Sequence, residues 1–161
     1  METIKQLSIF ARNNPGKIER VTQVLADEKI SVLAFSIASQ GEMGVFKLLT
    51  DDCEKAYEAL KKAGLTVSLM DVLAIRLNDK PGGMHKVAEI LTAKNVNVEN
   101  AYIFIPGERK NGYLVIEVNN AKKAMEKLKD TKLSFLKEKS CKTVSKPKKK
   151  TVKTTKTTQK K

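Results

Sequence analysis

The sequence predicts an α+β protein built from two copies of a unit with the order strand, helix, strand, strand, helix, strand. Two observations point to this fold class. Residues 13–25, NNPGKIERVTQVL, and residues 79–91, DKPGGMHKVAEIL, repeat one pattern, and each follows a short apolar run. The chain has 161 residues, 41% of them hydrophobic, which suffices for one ordinary domain or two small ones.

The repeat extends well beyond the Pro-Gly pair that the two stretches share. Residues 7–36 align with residues 73–102 without a gap, and seven positions are identical where chance gives about two. Beyond residue 40 the shift grows from 66 to 68, because two residues are added in a turn-like stretch at 107–112. The identical positions of the first copy are Leu7, Ile9, Pro15, Gly16, Val21, Leu25 and Val32.

Hydrophobic periodicity assigns each element of the unit, since apolar residues alternate in strands and recur every three or four residues in helices. The first copy predicts its six elements at residues 7–11, 18–25, 30–37, 45–49, 52–63 and 65–70. The second copy predicts them at residues 73–77, 84–91, 98–105, 113–118, 121–128 and 132–136. Asp51 is expected to cap the second helix, with Glu54 as its capping-box partner, and Gly64 is expected to end that helix.

A unit of this order and of about 65 residues is the ferredoxin-like arrangement, with two helices on one face of an antiparallel sheet. The join between the copies, near Met70 and Asp71, is very short. We therefore expect two ferredoxin-like units that pack side by side and share a continuous sheet. The expected domains are residues 1–70, residues 71–136 and a tail of residues 137–161.

The repeated Pro-Gly turn is the candidate binding feature. Pro15 suits the first position of a helix, Asn14 suits the N-cap, and Gly16 allows close approach to the backbone. Such a turn exposes N–H groups at the positive end of a helix, where a carboxylate or phosphate is stabilised. Asn13 and Asp79 precede the two turns and are able to hold an amino group. An ordinary helix start is the alternative interpretation.

Two longer stretches resemble the opening of an ACT domain: NNPGKIERVTQVLADEKISVLAFSIA and NDKPGGMHKVAEILTAKNVNVENAYIF. With the short link between them, residues 3–136 resemble the tandem ACT-domain proteins of bacteria and archaea. The resemblance implies a regulatory module that binds a small molecule, usually an amino acid, at the interface of paired ACT units. The ligand is then expected beside the loop that follows the first strand of each unit.

Carried onto this chain, the resemblance implies ligand contacts from both loops and from one position at the start of each second strand. Lys80 stands at the cap position of the second loop, so the two sites are expected to differ in affinity or ligand. Arg12 departs from the usual small or polar residue and receives no role. The implied residues are Asn13, Asn14, Pro15, Gly16, Ser31, Asp79, Lys80, Pro81, Gly82, Gly83 and Asn97.

The net charge of +13 suggests a nucleic-acid partner, but the position of the basic residues in the chain changes this interpretation. Residues 137–161 hold 11 of the 31 basic residues and one acid, which leaves 20 basic and 17 acidic residues, a net of +3, in the body. We expect this Lys-rich tail to be disordered, because it has little to bury and repels itself. The tail is expected to contact nucleic acid or another anionic surface through phosphate-type contacts. The alternative is a solubilising extension, which is favoured by the absence of an aromatic residue for base stacking.

No set of side chains in the sequence converges on a reaction. His85 is the single histidine, stands at the solvent-prone start of a predicted helix and has no evident nucleophile or metal partner. Helix capping explains Asp51 and Asp52, and nothing near Cys53 suggests a redox partner. The KPGG stretch is too short for a phosphate-binding nucleotide loop. We therefore predict a protein that is not an enzyme and uses no cofactor and no metal.

The sequence also bears on the cellular setting. It has neither an apolar run of the ~20 residues that span a membrane nor a signal peptide at its start. Cys53 and Cys141 lack disulfide or metal spacing, which favours a reducing, cytoplasmic setting over a secreted one.

These observations lead to one preferred function and two alternatives. The preferred function is a non-catalytic regulatory protein that binds a small ligand, an amino acid, at the interface of two ACT units, with a homodimer as one assembly. The first alternative is an interaction subunit that regulates a metabolic enzyme in trans, such as an acyl-CoA ligase, through the exposed face of its sheet. The second is nucleic-acid association through the basic tail.

Overall fold

The computed structural model describes residues 2–78, 80–105 and 112–137. Within these ranges it confirms the predicted α+β fold and the predicted order of elements, except at the end of the second unit. The disorder predicted for the tail falls almost wholly on residues 138–161, outside the described residues. The elements are β1 (Ile4–Arg12), α1 (Lys17–Asp27), β2 (Val32–Gln40), β3 (Met43–Thr50), α2 (Cys53–Lys62), β4 (Thr66–Leu77), α3 (Gly83–Ala93), β5 (Asn100–Phe104), β6 (Gly112–Glu117) and α4 (Ala121–Leu128).

One long strand, β4, belongs to both units. Its first part pairs with β1, with Leu69 opposite Leu7, and its second part pairs with β6, with Ile75 opposite Leu114. The strands that the sequence predicts on either side of Met70 are therefore continuous. The named strands form one antiparallel sheet in the order β2-β3-β1-β4-β6-β5, which confirms the shared sheet.

The closing strand predicted for the second unit, residues 132–136, is reduced to a single bridge. Phe135 lies opposite Ile75, and two backbone hydrogen bonds join this segment to residues 74–76. The strand prediction was therefore wrong in extent. The physical reason is the limited length of β4. Strand β1 already pairs with residues 66–72 of β4, so only a short stretch of β4 is left for the terminal segment.

Each unit has its own core between its helices and the sheet. In the first unit, strand residues of β1 and β3 pack with α1 and α2, and the second unit repeats this with β4, β6, α3 and α4. Most of the side chains that the two periodicities place inside are buried. Examples are the equivalent quartets Leu7, Ile9, Val21 and Leu25, and Leu73, Ile75, Val87 and Leu91. No helix within the described ranges is long and apolar enough to cross a lipid bilayer.

The other face of the sheet, which none of the four described helices covers, is also filled. The outer strands β2 and β5 have Cα atoms within 8 Å of each other, so the sheet curls around this face. A third apolar cluster occupies the concave side and combines residues of both units, among them Ile4, Val72, Phe104 and Val115. The expectation of an exposed sheet face for a protein partner was therefore wrong, because the curl buries most of that face.

The cap of α2 differs by one residue from the prediction. The side chain of Asp52, not that of Asp51, accepts a hydrogen bond from Lys55 N–H at 3.2 Å. Asp51 instead forms two hydrogen bonds with Ser31, which follows α1 in the chain. Gly64 follows the end of α2 with φ +77°, which is the left-handed geometry expected where a glycine stops a helix.

Candidate functional site

The first Pro-Gly pair forms a tight turn between β1 and α1. Lys17 N–H donates to the Asn14 carbonyl oxygen at 3.4 Å, and Gly16 has φ +87° and ψ −10°. These are the features of a type II β-turn, which favours proline at its second residue and glycine at its third. Helix α1 begins at Lys17, with Gly16 as its N-cap. The expectation that Asn14 caps the helix and Pro15 opens it was wrong, because both residues belong to the turn.

The start of α1 leaves N–H groups without a partner. Gly16 carries no capping side chain, and no acceptor within the described part of the chain meets the N–H groups of Gly16, Ile18 or Glu19. The N–H of Arg20 begins the helical pattern by donating to the Gly16 carbonyl at 3.0 Å. Unpaired N–H groups at a helix start carry a partial positive charge, so this end of α1 attracts anions.

A cleft of about 330 Å³ lies beside two of these residues, Gly16 and Ile18. The loop forms its polar end, and Asn13 is fixed there because its N–H donates to the Glu42 carbonyl at 2.8 Å. Side chains from β2 and β3 form an apolar wall. The cleft is lined by Asn13, Asn14, Pro15, Gly16, Lys17, Ile18, Ile37 and Phe46. The structure thus brings the four predicted residues of the first loop together around one space.

Ser31 does not reach this cleft within the chain. It follows the far end of α1, where its N–H donates to Asp51 Oδ1 at 3.0 Å and its carbonyl accepts from Asp51 N–H at 3.1 Å. Asn97, the equivalent position in the second unit, lines a separate cleft of about 380 Å³ between the end of α3 and α4. Both positions therefore lie apart from the first loop in the described residues of one chain.

The second loop repeats the turn in a tighter setting. Gly82 has φ +79°, and Gly83 N–H donates to the Lys80 carbonyl at 2.9 Å. Helix α3 begins at Gly83 with Gly82 as N-cap, so the expectation of Lys80 at the cap was wrong for the same reason as in the first loop. A side chain at Gly83 would collide with the Asn78 carbonyl oxygen. Asp79 lies outside the described residues, so its predicted role stays a prediction.

Other chemistry-bearing residues do not assemble into a site. The imidazole of His85 is exposed and lies 3.5 Å from the Glu89 carboxylate on the same helix. The Cys53 thiol donates to the Lys5 carbonyl at 3.1 Å, which is a packing contact. Across residues 2–78, 80–105 and 112–137, no group of three or more His, Cys, Asp or Glu side chains is placed to hold a metal ion.

The apolar wall of the cleft was not identified from the sequence. The helical period places Ile18 on the buried face of α1, yet 48% of it is exposed, because it stands in the first turn beside the cleft. Ile37 is 39% exposed on β2. The repeat did contain a signal for this wall. In both copies an apolar residue, Ile18 or Met84, stands two positions after the Pro-Gly pair.

The comparisons with known proteins agree with this architecture. A family model described as an ACT domain pair matches residues 2–145. A comparison with curated proteins gives no significant match. A protein of Bacteroides thetaiotaomicron with a solved crystal structure is 35% identical, with a TM-score of 0.79 over 88% of this chain and 96% of that chain.

Two further solved structures share the fold at lower identity. The regulatory subunit of aspartate kinase from Thermus thermophilus, in its ligand-free form, is 17% identical with a TM-score of 0.59. The corresponding subunit from Thermus flavus is 18% identical with a TM-score of 0.52. In both cases the match covers 80% of this chain and 92% of the other. With its two ferredoxin-like units, its shared sheet and its repeated loop, the chain belongs to the family of ACT domain pairs.

Proposed function

We propose that this chain is a non-catalytic regulatory protein that binds an amino acid in the cleft beside the first Pro-Gly loop. One observation carries the proposal: three N–H groups at the start of α1, those of Gly16, Ile18 and Glu19, have no partner in the described chain, and Gly16 and Ile18 line a cleft. An α-carboxylate is a ligand group that satisfies several such donors at once. The carboxamide oxygens of Asn13 and Asn14 are the acceptors offered to the ammonium group.

The regulatory part of the proposal draws on the relatives. The two Thermus proteins are regulatory subunits of a kinase, and a ligand alters a partner only through different affinity for two states. Among the described residues, those of the first unit alone line the cleft. We propose that a second ACT unit, supplied by another copy of the chain, covers its open side, and that the ligand strengthens this pairing.

Calorimetric titration of the full chain against each of the twenty amino acids tests the proposal. We expect saturable binding of at least one of them. Light scattering on the same samples is expected to report a larger assembly, or a more stable one, when that ligand is present. Absence of binding from the whole panel contradicts the proposed function.

A pair of proline variants locates the binding site. Glu19→Pro deletes one unpartnered N–H in the first turn of α1, where proline is tolerated because no helical bond is lost. His85→Pro makes the same change at the equivalent position of α3. We expect about a tenfold loss of affinity from Glu19→Pro, the size of one charge-assisted hydrogen bond. This variant also removes a negative charge near the anion, which by itself favours binding, so the change of charge does not explain a loss of affinity. His85→Pro is expected to leave affinity unchanged.

An interaction subunit is the second candidate, and the outer strand β2 favours it. Val32, Phe35 and Ile37 on this strand are each about two-fifths exposed, which leaves an apolar strip at one edge of the sheet. A metabolic enzyme that docks there would be regulated in trans. Co-purification of the full chain from native cells, compared with a Val32→Lys variant, distinguishes the two candidates, because Val32 lies outside the cleft.

A further inference from the structure

The wall of the cleft opposite the loop is formed by hydrocarbon. Ile18 of α1, Ile37 of β2 and Phe46 of β3 line it, together with the ring of Pro15. Two of these side chains are held partly in water, since Ile18 is 48% and Ile37 is 39% exposed. Covering such surface with an apolar group is favourable in proportion to the area removed from water.

The charge around the cleft restricts which ionised groups the side chain of a ligand is able to have. Lys17 is the one ionised residue among those lining the cleft, and neither aspartate nor glutamate contributes to the described lining. A basic side chain on the ligand would meet no carboxylate and would be repelled by Lys17. A second carboxylate would be attracted by Lys17. It would nevertheless lose its hydration against Ile18, Ile37 and Phe46, and no further cation lines the described cleft.

The volume restricts the ligand further. The cleft measures about 330 Å³, which is at the lower end of the roughly 300–1,000 Å³ that small-molecule sites occupy. Such a space accommodates one molecule of the size of an amino acid. A nucleotide or a cofactor with an extended tail would leave much of its length outside the space that these residues line.

From these three features we propose that the cleft selects a carboxylate that bears an uncharged branched or aromatic hydrocarbon body. Leucine, isoleucine and phenylalanine have this chemistry, and so do the 2-oxo acids that share their carbon skeletons. The proposal rests on the proposed function and narrows its ligand class. The selecting residues are Ile18, Ile37 and Phe46, and the N–H groups of α1 receive the carboxylate.

Calorimetric titration of the full chain with two sets of ligands tests this selectivity. The apolar set is leucine, isoleucine, phenylalanine and the corresponding 2-oxo acids; the charged set is aspartate, glutamate, lysine and arginine. We expect at least one apolar ligand to bind at least about tenfold more tightly than every charged one, since burial of each methylene contributes about fourfold. Comparison of each amino acid with the corresponding 2-oxo acid shows which of these two kinds of carboxylate the cleft binds more tightly.

A matched pair of variants tests whether the apolar wall of the cleft causes the selectivity. Ile37→Thr introduces a hydroxyl into the wall, and Val32→Thr makes a similar change on the same strand at a side chain of equal exposure, 40%, outside the cleft. Threonine keeps the β-branched shape that strands favour. We expect Ile37→Thr to weaken apolar ligands by about tenfold and Val32→Thr to weaken them less than about twofold.

The outcomes separate this inference from the proposed function. Tighter binding of aspartate or lysine than of any apolar ligand overturns the inference and leaves the proposed function standing. Equal effects of Ile37→Thr and Val32→Thr also overturn it, because the wall then has no role in selection. Failure of every ligand in both sets to bind overturns the inference, and the proposed function falls with it only if the remaining amino acids of the twenty also fail to bind.

Discussion

Lys47 of the first unit forms a buried ion pair with Glu117 of the second unit. The two side chains are 15% and 9% exposed. The Glu117 carboxylate also accepts a hydrogen bond from the side-chain amide of Gln6, whose oxygen accepts from the Tyr102 hydroxyl at 2.7 Å. Phe46, the neighbour of Lys47 on β3, points to the opposite face and lines the cleft. Strand β3 therefore carries the candidate site on one face and the ion pair between the units on the other.

Breaking this pair from one side is expected to destabilise the fold strongly. Lys47→Met or Glu117→Gln leaves one partner buried without its counter-charge or its full set of hydrogen bonds, which costs about 3 kcal/mol. Urea unfolding of each variant measures the free energy of unfolding. Lys55→Met is the control, because Lys55 pairs with Glu28 where the side chains are 51% and 47% exposed, and we expect less than about 1 kcal/mol there.

The double variant Lys47→Met/Glu117→Leu, compared with the single variants Lys47→Met and Glu117→Leu, tests whether the two residues act as a pair. Replacing both charges by apolar groups removes the unpaired charge, so we expect a smaller loss of stability than the sum of the single losses. Strict additivity in the double-mutant cycle contradicts a direct ion pair between the units.

The glycines of the two Pro-Gly loops are expected to respond unequally to alanine. Gly16 and Gly82 have positive φ angles, but an added methyl group would meet no atom within 4 Å at either position, so each substitution costs about 1 kcal/mol of backbone strain. At Gly83 the new methyl group would collide with the Asn78 backbone, and the loss is expected to be clearly larger. Thermal melting of the three alanine variants measures the order. A Gly83→Ala variant as stable as Gly16→Ala contradicts the tight contact.

Asp71 is expected to contribute to the acid sensitivity of the fold. A hydrogen bond from Lys5 is the main cause that lowers the pKa of Asp71 below its ordinary 3.8, against an opposing effect of burial. Because the folded-state pKa is depressed, the stabilisation is present above pH 3.8 and is lost as the pH falls through the lowered value. We expect Asp71→Asn to lower the free energy of unfolding by up to about 1 kcal/mol at neutral pH. Urea titrations at pH 7 and in strong acid are expected to show that this difference disappears in acid; a difference independent of pH contradicts the role.

The Lys-rich tail has its own test. Deleting residues 137–161 removes 11 basic residues, so any binding of DNA or RNA is expected to disappear together with its steep dependence on salt. Fluorescence anisotropy with a labelled oligonucleotide measures this at low and at physiological salt. Calorimetry of the shortened chain is expected to give the same ligand affinity as the full chain. Retention of nucleic-acid binding after the deletion contradicts a role for the tail.

Local rules were sufficient for most of the fold. The repeat, the two hydrophobic periods and the stop at Gly64 depend on neighbouring residues. The structure confirms the elements that they predict, apart from the closing strand at residues 132–136. The curl of the sheet depends on contacts between distant strands. Gln6 and Lys47 are polar residues at positions that a two-layer sheet would expose, so no local pattern indicated that they would be buried with Glu117.

The candidate site was accessible from the sequence only in part. The first loop was found because Pro15 and Gly16 recur in register, but the same pair was assigned to the helix start instead of to the turn before it. The wall was missed because Ile37 follows the ordinary pattern of a strand. Whether such a side chain lies under a helix or beside a cleft is decided by where α1 begins, and sequence patterns fix that point only within a few residues.

The backbone amide resonances of the isotopically labelled full chain report directly whether a ligand meets the start of α1. We expect a saturating ligand to move the amide signals of Gly16, Ile18 and Glu19 furthest, because their N–H groups acquire an acceptor. The equivalent amides in the second loop, those of Gly82, Met84 and His85, should move less. Saturable binding that leaves the Gly16, Ile18 and Glu19 signals in place would contradict carboxylate binding at this helix start.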